Sequence, residues 1–229
     1  VVGKEIRGAS LAVLATLGKG WPIVISMLPW KLGRRRAAVA VVVTSVVLLA
    51  AVASLEGFQS GREFDGIHTE TVVGSVVLLF RHLTDAALGT TPSAGALYID
   101  VPPIMVFINA IPGILLITIG LVSTIRLSAT STLSAIGITT LGIILASPLS
   151  STQFIFWIAP FVALLAVGQR RMYVIAGLFA FASIAIYEPY GILWNIEVVA
   201  RNVALLALGA MWAMTLIERM RLPTASARP

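Results

Sequence analysis

PIMVFINAIPGILLITIGLVSTI, residues Pro103 to Ile125, contains no charged side chain from end to end. As a helix it would rise about 35 Å, enough to cross a hydrocarbon layer about 30 Å thick. Membrane-length runs recur on both sides of it. Downstream lie Thr130–Ala146, Phe154–Val167, Met172–Tyr187 and a last run from about Asn202 to Ile217; upstream lies Ala37–Ser54. Gly8–Trp30 is also apolar but is broken by Gly18-Lys19-Gly20-Trp21-Pro22. It reads either as one span kinked at Pro22 or as two half-depth helices turning back near Lys19. Val72–Phe80 is too short to cross, and Arg81, His82 and Asp85 follow it at once. The spacing predicts a helix over Thr69–Leu83 lying in the interface, then a polar connector over Thr84–Val101.

The predicted architecture is therefore all-α: a polytopic transmembrane bundle of about six spans, a re-entrant or kinked N-terminal element and one interfacial helix. The membrane part runs to residue 217, and a polar, disordered tail covers 218–229. Composition agrees. Of 229 residues, 58% are hydrophobic and 11% charged, with mean hydropathy +0.98; soluble domains carry about a quarter charged residues. There is no cysteine, which removes disulfides, thiolate metal sites and a cysteine nucleophile. The net charge of +6 does not point to nucleic acid, because the basic residues are parcelled into short turns between apolar runs.

Those turns give an orientation. Lys31, Arg34, Arg35, Arg36, Arg126, Arg170, Arg171, Arg219, Arg221 and Arg228 fall on one set of connectors, and Arg62, Arg81 and Arg201 on the other. The positive-inside rule puts the richer set, and the C-terminus, in the cytoplasm. Eight of the ten acidic residues then face outward. Half of those lie in Glu56–Thr71, EGFQSGREFDGIHTET, which adds Glu56, Glu63, Asp65 and Glu70 to Arg62 and His68. Carboxylates, an imidazole and a guanidinium so close along the chain suit acid–base work, sugar-hydroxyl recognition or a divalent cation. No strict metal spacing is present, and a solvated loop with surface ion pairs accounts for the same residues.

Three further places stand out. Lys19, near the middle of its apolar run, needs a polar cavity or an anion, or else snorkels from a re-entrant turn. Gln153 opens the outer end of a span after Ser147-Pro148-Leu149-Ser150-Ser151-Thr152, where proline and hydroxyl caps explain much of the pattern. Arg201 precedes an apolar run, after Tyr187, Tyr190 and Trp194. Its fork of donors suits a lipid phosphate, and a snorkelling arginine would look the same.

In this order the four places resemble the C-terminal half of bacterial GT-C glycosyltransferases, close to the mannosyltransferases of glycosyltransferase family 87. The resemblance is carried by Gly18-Lys19-Gly20-Trp21-Pro22 with Leu28-Pro29, by Gly66-Ile67-His68-Thr69-Glu70-Thr71, by Ser151-Thr152-Gln153-Phe154 with Trp157 and Pro160, and by Tyr187-Glu188-Pro189 with Arg201-Asn202 and Leu205-Leu206. Asp65 stands where relatives have an arginine before the loop glycine, and Thr152 replaces the proline of their Ser-Pro-Gln. The resemblance implies an enzyme of the bacterial plasma membrane that transfers a sugar, mannose by type, from a polyprenyl-phosphate donor to a lipid or glycan acceptor at the outer face. It also implies that the principal catalytic carboxylate lies upstream of Val1. Under it Lys19 and Arg201 are candidate phosphate contacts. Arg62 belongs to the substrate site, Gln153 would meet sugar hydroxyls, and Glu70 and His68 would orient the acceptor or a divalent cation. The alternative is a transporter or lipid-carrier flippase. The spans are nearly all apolar and lack a polar path, and no internal repeat is visible.

Overall fold

The computed structural model describes residues 66–84, 86, 90–93, 96–147 and 191–221, with isolated positions at 30, 31, 33, 39, 42, 43, 158, 161, 162 and 177. The N-terminal element, the Ala37–Ser54, Phe154–Val167 and Met172–Tyr187 runs and the tail beyond 221 lie, but for those positions, outside the described residues. So do Lys19, Arg62 and Gln153. The described part is mostly helical and has two helices long and apolar enough to cross a membrane.

Four helices and a small sheet follow from the sequence in order. Strand β1 is Ile67–His68, helix α1 Val72–Thr84, strands β2 and β3 Thr90–Ser93 and Ala96–Ile99. Helices α2, α3 and α4 are Pro103–Arg126, Ala129–Ala146 and Ile192–Arg221. Helix α2 begins with Pro103, whose missing N–H costs nothing in a first turn. It ends where Leu127 turns extended and donates its N–H to Ser123 O. Ser128 is extended as well, and α3 starts at the next residue. A connection that short makes α2 and α3 antiparallel neighbours.

Small residues set how closely these two pack. A Cβ on Gly113 would run into Gly142 O and Ala146 N, and one on Gly142 would stand 2.7 Å from Gly113 O. Backbones in such contact gain dispersion energy without needing a hydrophobic effect, the usual solution between helices in lipid. Trp212 of α4 fills the space beside Leu208, Leu216 and Ile138, fully buried, and donates its Nε1–H to Ser134 Oγ at 2.8 Å. Threonines within the helices return their hydroxyls to the preceding turn. Thr118, Thr124, Thr139 and Thr215 bond the carbonyls of Ile114, Gly120, Ala135 and Met211 at 2.8–3.0 Å. Thr118 does so on an exposed face. A hydroxyl satisfied within its own helix can sit in hydrocarbon.

That exposed face is apolar along its whole length. Ile104, Phe107, Ile108, Ile111, Ile114, Leu115, Leu121 and Ile125 recur every three or four residues on α2, each between 43% and 78% exposed. Polar groups meanwhile turn inward: Asn109, Asn195, Arg201 and Asn202 are 0–3% exposed. A water-soluble domain shows the opposite arrangement.

Two expectations are corrected. The connector over Thr84–Val101 holds two strands, β2 and β3, which complete with β1 a three-stranded antiparallel sheet of order β1-β3-β2, so the described fold is not purely helical. Ile67 and His68 pair with Ile99 and Tyr98, and Thr90 and Thr91 with the same two residues from the other side. Pro92 is tolerated because β2 is an edge. The last helix starts at Ile192, ten residues before the expected Asn202, so Arg201 sits inside α4 rather than ahead of it. Trp194, Asn195, Val198, Arg201, Asn202 and Leu205 form one buried face at helical spacing. Hydropathy alone cut the helix at its polar members.

Candidate functional site: a polar knot around Glu70 and Arg201

The site begins with a turn. Thr71 N–H donates to His68 O at 3.0 Å, and Thr71 Oγ1–H donates to the same carbonyl at 2.8 Å. Gly66, at φ +130°, lets the chain enter: a Cβ there would collide with Ile99 O across the sheet. The buried His68 ring meets Tyr98, its cross-strand partner, edge to face at 5.6 Å.

Thr71 then caps α1. Its Oγ1 accepts from Gly74 N at 3.0 Å, and its carbonyl accepts from Ser75 N at 2.9 Å. Val73 N donates to Asn109 Oδ1 of α2 at 3.2 Å. Two of the amide groups at this helix end, Val73 N and Gly74 N, which in an open helix would attract an anion, are thus taken by Asn109 and Thr71. The Asn109 Nδ2 donates to Ser147 O at 3.2 Å and to Leu145 O at 3.4 Å. One buried amide therefore joins the start of α1, the body of α2 and the last carbonyls of α3.

Helix α4 closes the knot. Arg201 Nη1 donates to Glu70 Oε2 at 3.1 Å, and Nη2 donates to Glu70 O at 3.1 Å. The guanidinium side chain is 4% exposed and the carboxylate side chain 19%. Asn202 Nδ2 shares its two protons among Glu70 O, Thr71 O and Ser75 Oγ at 3.0–3.1 Å. Two turns earlier, Asn195, with its amide in the orientation that satisfies both groups, has its nitrogen 3.1 Å from Ser75 O and its oxygen 2.6 Å from Leu79 N. Those are the two ends of a single i to i−4 step of α1, so one α4 side chain bonds both partners of that step.

No family model, curated protein or solved structure matches the chain. Of the six residues singled out in the sequence, Glu70 and Arg201 pair directly although 131 positions separate them, and His68 shares the turn that leads to Glu70 while its ring packs on Tyr98. Among the described residues no three His, Asp or Glu side chains converge to hold a metal ion. Asn109, Asn195 and Ser75 were missed. Asn109 had a signal: it is the one amide in the Pro103–Ile125 run, and a lone amide in hydrocarbon must bond a neighbouring helix.

The opposite end of the molecule is basic. Lys31 Nζ donates to Ile125 O at 3.1 Å, and Ser123 Oγ approaches Met220 Sδ at 3.7 Å. That gathers Lys31, Arg126, Arg219 and Arg221 where α2 and α4 both end. Along α2, Asn109 and Arg126 are roughly 26 Å apart, and along α4, Arg201 and Arg219 are roughly 27 Å apart. Both spacings approach one hydrocarbon thickness.

Proposed function

We propose that this chain is part of an integral membrane glycosyltransferase of GT-C type, multi-pass, with its C-terminus in the cytoplasm. It would transfer a sugar, mannose by resemblance, from a polyprenyl-phosphate donor to an acceptor at the outer face. What carries the reading is the Glu70–Arg201 pair, a buried cation held to a partly open carboxylate at one end of a bundle that is apolar outside. Charges buried in this way are costly, and in membrane proteins they mark functional sites more often than they add stability.

In this reading Glu70 and His68 orient the acceptor or a divalent cation, and the Glu70 carboxylate is aimed by Arg201. Lys19, Arg62 and Gln153 contact the donor phosphate and sugar. A lipid-linked donor enters sideways between helices, while its phosphate and sugar wait at the headgroup boundary. The departing phosphate needs cationic donors and the acceptor hydroxyl needs a carboxylate base.

The test uses the full-length protein, radiolabelled polyprenyl-phosphate mannose and a parallel uptake assay. Glu70→Gln leaves an oxygen for Arg201 Nη1 but removes the charge. Transfer should be lost while the chain still inserts. Transfer by E70Q would remove Glu70 from the site, and uptake without transfer would replace the enzyme with a transporter.

A further inference from the structure

We propose that the basic end of the α2–α4 pair is a docking surface for the headgroups of anionic phospholipids. The proposal rests on the membrane part of the reading above and not on its enzymology. Ser123 and Met220 touch, so Arg126, one turn beyond Ser123, and Arg219 and Arg221, which flank Met220, lie at one level and fan out around the end of the helix pair. All three arginines are exposed. Among the described residues none of the three makes an ion pair or a side-chain hydrogen bond, in contrast to Arg201 at the other end. Glu218 is the one acidic residue described there, against Lys31 and the three arginines.

The neighbouring surface has the other half of a lipid's chemistry. Ile125 is 78% exposed and Leu121, one turn above it, 44%, which continues the apolar stripe of α2 down to Arg126. Trp30 is 52% exposed beside Lys31, the placement of an aromatic at a membrane–water boundary. Lys31 itself is tied to the α2 terminus through Ile125 O. Phosphate groups at this level would find the guanidinium forks of Arg126, Arg219 and Arg221 without other partners among the described residues, and a lipid held at Arg126 would run its acyl chains up the Leu121–Ile125 stripe. Arginine forks suit phosphate oxygens in this geometry. The negatively polarised C-terminal ends of both helices are offset by the same cations.

The experiment reconstitutes the chain in phosphatidylcholine bilayers containing either brominated phosphatidylglycerol or brominated phosphatidylcholine, and reads quenching of tryptophan fluorescence. Each basic residue near an anionic headgroup is worth about fivefold in affinity. Wild type should therefore prefer phosphatidylglycerol at least about fivefold, less so at high salt. R126Q/R219Q/R221Q should lower the ratio at least about fivefold or bring it to one. A wild-type ratio near one, or a ratio unchanged in the triple variant, overturns the proposal while leaving insertion intact. Failure of brominated phosphatidylcholine to quench wild type would overturn the membrane reading and this proposal together. If the triple variant does not insert, R126Q alone must still lower the ratio, and no change in it overturns the docking surface.

Discussion

Removing Glu70 alone from the Glu70–Arg201 pair should cost far more than removing both members. In Glu70→Ala the guanidinium loses the carboxylate that Nη1 bonds while its bond to the residue-70 carbonyl persists, at a side chain that is only 4% exposed in the native pair. A buried charge stripped of its partner costs about 3–5 kcal/mol. Arg201→Met is milder for two reasons visible in the structure. The Glu70 side chain already has 19% of its surface open and can turn outward, and Glu70 O still accepts from Asn202. That variant should lose about 1–2 kcal/mol, the worth of a charged hydrogen bond. The double variant E70A/R201M leaves no buried charge, so it should lose no more than R201M alone. The cycle then closes with a coupling as large as the E70A loss itself, about 3–5 kcal/mol. Unfolding by SDS titration in mixed micelles, followed by circular dichroism, measures all four proteins. Additive losses, or an R201M variant less stable than E70A, would show that the pair is not the buried unit described here.

Asn109→Leu should strand the Val73 N–H and weaken the caps on Leu145 O and Ser147 O; with about 1–3 kcal/mol for each buried group left unpaired, the variant should unfold earlier in the same titration, and hydrogen exchange at Val73 should accelerate. Gly142→Val places a side chain against Gly113 O and Ile117 N, so cysteines placed across the α2–α3 contact should crosslink less efficiently than in the parent, whereas unchanged crosslinking would refute the close approach.

Much of this fold could be read from hydropathy because lipid-length helices need little else. Pro103–Ile125 and Thr130–Ala146 matched α2 and α3 within a residue at each end. Val72–Thr84 fell close to the expected helix for the same reason. The sheet was not legible. Its strands are two to four residues long, too short for alternation to register, and β2 carries a proline that argues against any strand but an edge. The start of α4 was lost for a subtler reason. Asn195, Glu197, Arg201 and Asn202 lower the hydropathy of its first turns, yet three of these four are buried and bond α1 or the Glu70 turn. Local polarity signals a loop only when water is the partner.

The same exchange of partners explains why Glu70 and Arg201 were both singled out but their pairing was not. Each was assigned a ligand outside the chain, Arg201 a phosphate and Glu70 an acceptor or cation. In the structure Arg201 holds Glu70 by both main chain and side chain. A guanidinium anchored to a carbonyl through Nη2 stays in place even when the carboxylate on Nη1 moves, because the carbonyl belongs to a turn already fixed by Thr71 and Asn202. The carboxylate is therefore the adjustable member of the pair and the arginine the fixed one. Any ligand arriving at this end would meet Glu70 first, with the charge of Arg201 behind it.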